Sequence, residues 1–177
     1  HAPNTVTLAV CFVVAGCVGG LWTLVPALLK AWYETNEIIT TLMMSFIGLA
    51  LGNLLVKLVF QDFGVNVPQT SVMPFDAMLP SIPGTRIHVG ILVAAFAVIV
   101  VHVVLTRTAW GLRLQVLGAN RRAAVHAGLG VRRLIVTAFL VSGLLVGLSA
   151  AAEILGIWGY VRADQPLKFG DAVIPFV

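Results

Sequence analysis

The chain has 177 residues, 59% of them hydrophobic and only 10% charged, and its mean hydropathy is +1.01. A soluble domain carries about 25% charged residues, and a disordered one combines low hydrophobicity with high charge, so both classes are excluded. The net charge of +4 comes from cations set between apolar runs rather than from a basic patch on a soluble surface, which argues against nucleic-acid binding and for membrane topology.

Four runs approach the about 20 apolar residues that cross a bilayer. Lipid admits only helices or closed barrels, and these runs do not alternate as barrel strands do. The expected fold is therefore all-α, a polytopic integral membrane bundle with spans at about residues 5–29, 38–60, 89–105 and 134–157. The sequence starts at His1 close to an apolar run and stops at Val177 within another, 172–177. No signal peptide is visible, and it reads as a piece of a longer membrane protein.

In the first span, Cys11 and Cys17 point about 240° apart on a helix. They cannot pair with each other there, and no Cys/His metal spacing exists. Asn36 can cap the second span, with Glu37 in a first turn that suits a carboxylate. Thr41 and Ser45 lie one turn apart on this span and, with Glu37, are candidates to line a polar route. The alternatives are hydrogen bonds to their own helix for the hydroxyls and a dipole partner for Glu37. Lys57 is expected to snorkel to the outer interface. The Pro-rich segment 67–84 reads either as an ordered outer cap or as a passive connector. In the third span His102 is expected to be a buried, hydrogen-bonded structural histidine. Glu153, near the outer end of the fourth, is either a pathway residue or an interfacial partner of Arg162.

Residues 106–133 join the third and fourth spans. They hold Arg107, Arg113, Arg121, Arg122, Arg132 and Arg133 and no acid, which makes this loop cytoplasmic by the positive-inside rule. Asn120 can cap a short helix from about Arg121 to Ala127, ended by Gly128 or Gly130. Such a basic helix suits either a groove on a cytoplasmic partner or anionic headgroups. Three spans carry glycines four apart, Gly16 and Gly20, Gly48 and Gly52, Gly143 and Gly147, a spacing that brings helix backbones close. No GxxxxGK[ST], HExxH or GxSxG occurs, so neither a P-loop nor a hydrolase or protease site is supported. No catalytic residue, metal site or cofactor is expected.

The loop resembles a pattern of ABC importer permeases of the branched-chain amino acid, ribose and nucleoside superfamily, carried by Arg107, Thr108, Gly111, Leu114, Gly118, Asn120, Ala123, Ala124, Ala127 and Gly128. The stretches 35–44, 68–70 and 142–156 are similar to the nucleoside and simple-sugar branch. Two departures stand out: Ser45-Phe46 replaces the usual Asn-Tyr, and Arg122 stands where importer permeases generally have the Glu of their EAA loop.

The resemblance implies a non-enzymatic transport subunit in a bacterial inner membrane. Separate ABC ATPase subunits would bind a coupling helix at Gly118, Asn120, Arg121, Ala123, Ala124 and Gly128. A second permease subunit, the same or different, would complete the pore, and an extracytoplasmic substrate-binding protein would deliver a nucleoside or simple sugar. A branched-chain amino acid permease and a non-transporting membrane scaffold are the competing readings.

Overall fold

The computed structural model describes residues 5–60, 69–71 and 90–161. Seven α-helices follow in chain order: α1 (Thr5–Trp22), α2 (Leu24–Tyr33), α3 (Glu37–Leu58), α4 (Gly90–Arg107), α5 (Ala109–Ala119), α6 (Arg121–His126) and α7 (Val131–Glu153). A π-helical turn, Ile154–Trp158, continues α7. No strand occurs among the described residues. Four segments are long and apolar enough to cross a membrane: Val6–Tyr33, Glu37–Leu58, Gly90–Arg107 and Val131–Gly156. The molecule is a polytopic all-α bundle. The Pro-rich segment 67–84, Arg162 and the run 172–177 lie outside the described residues.

The first membrane segment is two helices in near-continuous register. Thr23 donates its N–H to Gly19 and accepts at its own carbonyl from Ala27. Pro26 supplies no N–H to the ladder, and Thr23 adapts with ψ −7°. The helix continues past residue 29 to Tyr33; its last turn carries Lys30, and it buries Ala27 and Ala31 on one face. α2 ends at Glu34, which takes the left-handed conformation (φ 53°). Asn36 then caps α3, its Oδ1 accepting from the Ile38 N–H at 3.0 Å.

The core is the antiparallel pairing of α1–α2 with α7. A methyl group on Gly147 would fall on the Ala15 carbonyl, and one on Gly143 on the Thr23 hydroxyl. One on Gly19 would strike the Gly143 carbonyl and lie 3.0 Å from the Gly147 backbone. The Thr23 hydroxyl lies 2.9 Å from the Gly20 carbonyl and 3.0 Å from that of Phe139 on α7, so one proton serves both helices.

Of the three glycine pairs read from spacing, only Gly143 and Gly147 make this approach together. On α1 the contact falls on Gly19. Added carbons on Gly16 and Gly20 would find neighbours at ordinary distances of 3.5 and 3.6 Å. Gly48 faces the Trp22 ring, and Gly52 has no neighbour within 4 Å among the described residues.

α3 and α4 stand at the margins of this pairing and expose apolar side chains such as Phe46, Phe96 and Ile99, as lipid-facing or protein-facing membrane surfaces can. His102 departs from expectation. It is exposed, on the side of α4 that lines an open cleft of about 560 Å³ against α7, together with Ser149 and Ala152. Hydropathy placed it inside a span but not on a face. At the far end of α7, the Thr70 N–H donates to the Val161 carbonyl at 2.9 Å and the Thr70 hydroxyl accepts from the Val161 N–H at 3.0 Å.

The α1–α7 geometry separates two neighbouring glycines. Gly19→Ala is expected to destabilise the protein by about 1–3 kcal/mol through overpacking against backbone, whereas Gly20→Ala leaves stability near that of the parent. Denaturant unfolding in detergent distinguishes them; equal stability of the two variants contradicts the described crossing.

Candidate functional site

Residues 106–133 form two helices and a tight return rather than one short helix in a loop. The Thr108 hydroxyl donates to the Val104 carbonyl at 2.6 Å and accepts the Gly111 N–H at 3.2 Å, closing α4 and opening α5. Gly111 fits because a side chain there would strike the Val104 and Leu105 carbonyls. Gln115 Nε2 donates to the Leu105 carbonyl at 3.0 Å. Trp110 Nε1 lies 3.3 Å from the Thr137 hydroxyl on α7. α5 is thereby held against both neighbouring helices.

Asn120 ends α5 and begins α6. Its N–H donates to Val116, and its side-chain oxygen accepts from the Arg122 and Ala123 N–H groups. These two bonds satisfy donors that a helix start leaves orphaned. At the other end Gly128 adopts φ +72°. Its N–H donates to Val125, and that of Leu129 donates to Ala124, the paired bonds of a Schellman motif. A six-residue helix too short to persist alone is thus fixed at both ends.

Ala124 is 0% exposed and forms a cluster with Ala31 of α2 and Val131 and Ile135 of α7. This corrects the expectation that Ala124 meets a partner protein: it faces this chain. Arg122, Ala123, Val125 and His126 are exposed, and they form the outward face. Six residues are too few for a periodic pattern to show which of two adjacent alanines points in. Gly118, on α5, is also exposed.

Arg121 reaches back 87 residues to Glu34, with Nη2 to Oε1 at 2.6 Å. Lys30 pairs with Glu37 at 3.0 Å. The α2–α3 turn and α6 therefore lie at the same end of the bundle. Glu34 escaped the reading of the sequence. Its only signal was an acid in the turn after a span, opposite a cluster of arginines far along the chain.

The four expected pathway residues do not converge. The Thr41 hydroxyl donates to the Glu37 carbonyl at 2.8 Å, and that of Ser45 to the Thr41 carbonyl at 2.9 Å. Both remain exposed on α3, so each oxygen can still accept a hydrogen bond. Glu37 is held by Lys30. Glu153 is exposed at the end of α7, about 33 Å along the helix axis from Val131. Among the described residues no group of three metal-ligating side chains occurs.

Residues 2–169 match the family model described as branched-chain amino acid transport system, permease component. The chain is similar to the guanosine ABC transporter permease protein of Bacillus subtilis, at 31% identity over 89% of this chain and 46% of that protein. It is also similar to the glucose ABC transporter permease protein of Haloferax volcanii, at 32% identity over 98% and 48%. A third relative is the nucleoside ABC transporter permease protein of Lactococcus lactis, at 23% identity over 95% and 49%. The chain spans about half the length of these curated relatives. No solved structure matches it. The chain belongs to this permease family.

The seat of α6 gives a paired expectation. Ala124→Leu is expected to destabilise the protein by about 1–3 kcal/mol, and Ala123→Leu to change stability by less than about 0.5 kcal/mol. Half-exposed ion pairs contribute about 0.2–1 kcal/mol, so a double-mutant cycle of Glu34→Gln and Arg121→Gln is expected to give a coupling energy in that range. Zero coupling together with equal tolerance at residues 123 and 124 contradicts the arrangement.

Proposed function

We propose that the chain is the central part of the membrane-spanning subunit of an ATP-driven importer in a bacterial inner membrane, moving a nucleoside or simple sugar. The observation that carries this reading is α6. It is capped at both ends and seated through Ala124, and it offers Arg122, Ala123 and the 57%-exposed Val125 outward. A short helix held in this way accepts a push from a separate ATPase and passes it to α2 and α7. The chain holds no P-loop sequence, which fits ATP hydrolysis by another subunit.

The solute class rests on the names of the relatives, guanosine, nucleoside and glucose permeases, and on the chemistry of α3. Free lone pairs on Thr41 and Ser45 suit the hydroxyls of a neutral polar solute, without wells deep enough to hinder release. A branched-chain amino acid would need charged groups for its carboxylate and ammonium. The described acids on the spans sit at their ends, and Glu37 is engaged by Lys30.

In this reading Glu37 borders the inner mouth and Glu153 the outer one. A second permease subunit, identical or different, completes the pore beside α3 and α4, and an extracytoplasmic binding protein delivers the solute. A membrane scaffold that only binds the cytoplasmic partner would show no ATP-dependent uptake.

Val125→Glu is expected to weaken ATPase association about tenfold and to lower uptake correspondingly, with unchanged abundance of the subunit in the membrane. Co-purification and transport assays on the same cells read both. Normal association and uptake would remove α6 from the docking role. In sealed right-side-out vesicles an impermeant thiol reagent is expected not to label Arg122→Cys; labelling from outside would invert the topology.

A further inference from the structure

We propose that the inner end of the α4–α5–α7 junction is a binding site for an anionic phospholipid, its phosphate held by Arg113 and Arg133 and an acyl chain lying in the cleft above. This stands on the membrane placement of the helices and goes beyond the transport reading.

Three observations meet at this junction. A surface hollow of about 370 Å³ is lined by Trp110, Arg113, the Gly128–Gly130 turn and Arg133. Both arginines are exposed, and no carboxylate pairs with either among the described residues. The acids of this end are taken elsewhere, Glu34 by Arg121 and Glu37 by Lys30. Two guanidinium groups without an anion, in one concavity, fit a phosphate through charge-assisted hydrogen bonds.

Beside the hollow lies a second, apolar cleft of about 890 Å³ that runs between α4, α5 and α7 and is walled by residues such as Val100, Val104, Leu114 and Val141. Trp110 and Thr137 line both spaces, and their contact forms the sill between them. From Arg133 to Leu148, the upper limit of the cleft on α7, the rise is about 22 Å. A single leaflet holds about 15 Å of hydrocarbon, so one acyl chain fits the length.

The level is right for a headgroup. α4 ends at Arg107 and α7 begins at Val131, and tryptophan with basic side chains is the ordinary furniture of a membrane interface. Basic pockets between spans on the cytoplasmic side are known to select anionic headgroups. A soluble phosphate would use the two arginines but have no part for the cleft. A helix of the same permease laid in the cleft would supply no phosphate.

The test is native mass spectrometry of the full-length permease with equal amounts of phosphatidylglycerol and phosphatidylcholine. The parent is expected to retain phosphatidylglycerol preferentially. Each neutralised arginine weakens that preference about five-fold, and Arg113→Gln with Arg133→Gln about twenty-five-fold. Arg132→Gln, exposed on α7 but outside the hollow, removes the same charge and leaves the preference intact. Ala138→Phe narrows the apolar cleft without touching the arginines, and is expected to lower retention of phosphatidylglycerol. Millimolar inorganic phosphate is expected not to displace the lipid.

No preference in the parent, or one that survives the double substitution, overturns the proposal. So does equal loss with Arg132→Gln, which would reflect general surface charge. Displacement by inorganic phosphate would show a free-anion site, and full retention in Ala138→Phe would place the lipid elsewhere. If the double variant does not fold, Ala138→Phe and inorganic phosphate decide.

Discussion

Two long helices can meet backbone to backbone only where side chains are missing, and everything else in this bundle hangs on such a meeting. At Gly19, Gly143 and Gly147 the chain of α1 lies against that of α7 so closely that a single methyl group would strike a carbonyl or a hydroxyl. In lipid there is little hydrophobic drive between helices, so close packing and shared hydrogen bonds must hold them. The Thr23 hydroxyl, between the Gly20 and Phe139 carbonyls, adds the polar half of that grip. Once α1 and α7 are locked, α2 is carried along beside the N-terminal half of α7.

That end of α7 carries the seat of α6. Ala31 on α2 and Val131 and Ile135 on α7 leave a socket, and Ala124 of α6 closes it. Asn120 and Gly128 set the limits of α6 by local bonds. Arg121 adds a tie to Glu34 at the α2–α3 turn. A helix so placed belongs mechanically to the α2–α7 pair. In the proposed importer, motion of an ATPase under α6 would move α2, α7 and the start of α3 together. Arg113, Arg122, Arg132 and Arg133 nearby are exposed.

What could be read from the sequence is what local chemistry decides. The four spans follow from length and hydropathy, and their ends shift for reasons hydropathy does not see. α7 starts at Val131 because Arg132 and Arg133 are good helix formers, although they are no part of an apolar run. The cap at Asn120 was legible because a side-chain oxygen bonds N–H groups only two and three residues on. The backbone bonds of Thr41 and Ser45 are equally local, and were one of two readings.

The rest depends on partners distant in sequence. The spacing of glycines is symmetric about several registers, and only the crossing with α7 selects Gly19 over Gly20. The helix α5 depends on Thr108 and on a fit of Gly111 against α4 carbonyls. The pairing of Arg121 with Glu34, and the inward turn of Ala124, cannot be seen without the fold. The family resemblance pointed to α6 as a unit but not to which of its faces is free.

The claim that most needs a direct measurement is that α6 and α2 move as one body. Glu34→Cys with Arg121→Cys, joined by a short cleavable bifunctional thiol reagent in the proposed importer, fixes one to the other at the place where the native ion pair holds them. ATP-dependent uptake by the cross-linked transporter, compared before and after cleavage of the link, is the readout. The account predicts that uptake is retained while the link is intact. Uptake abolished by the link and restored by its cleavage would show that α6 must travel relative to α2, and would contradict the account.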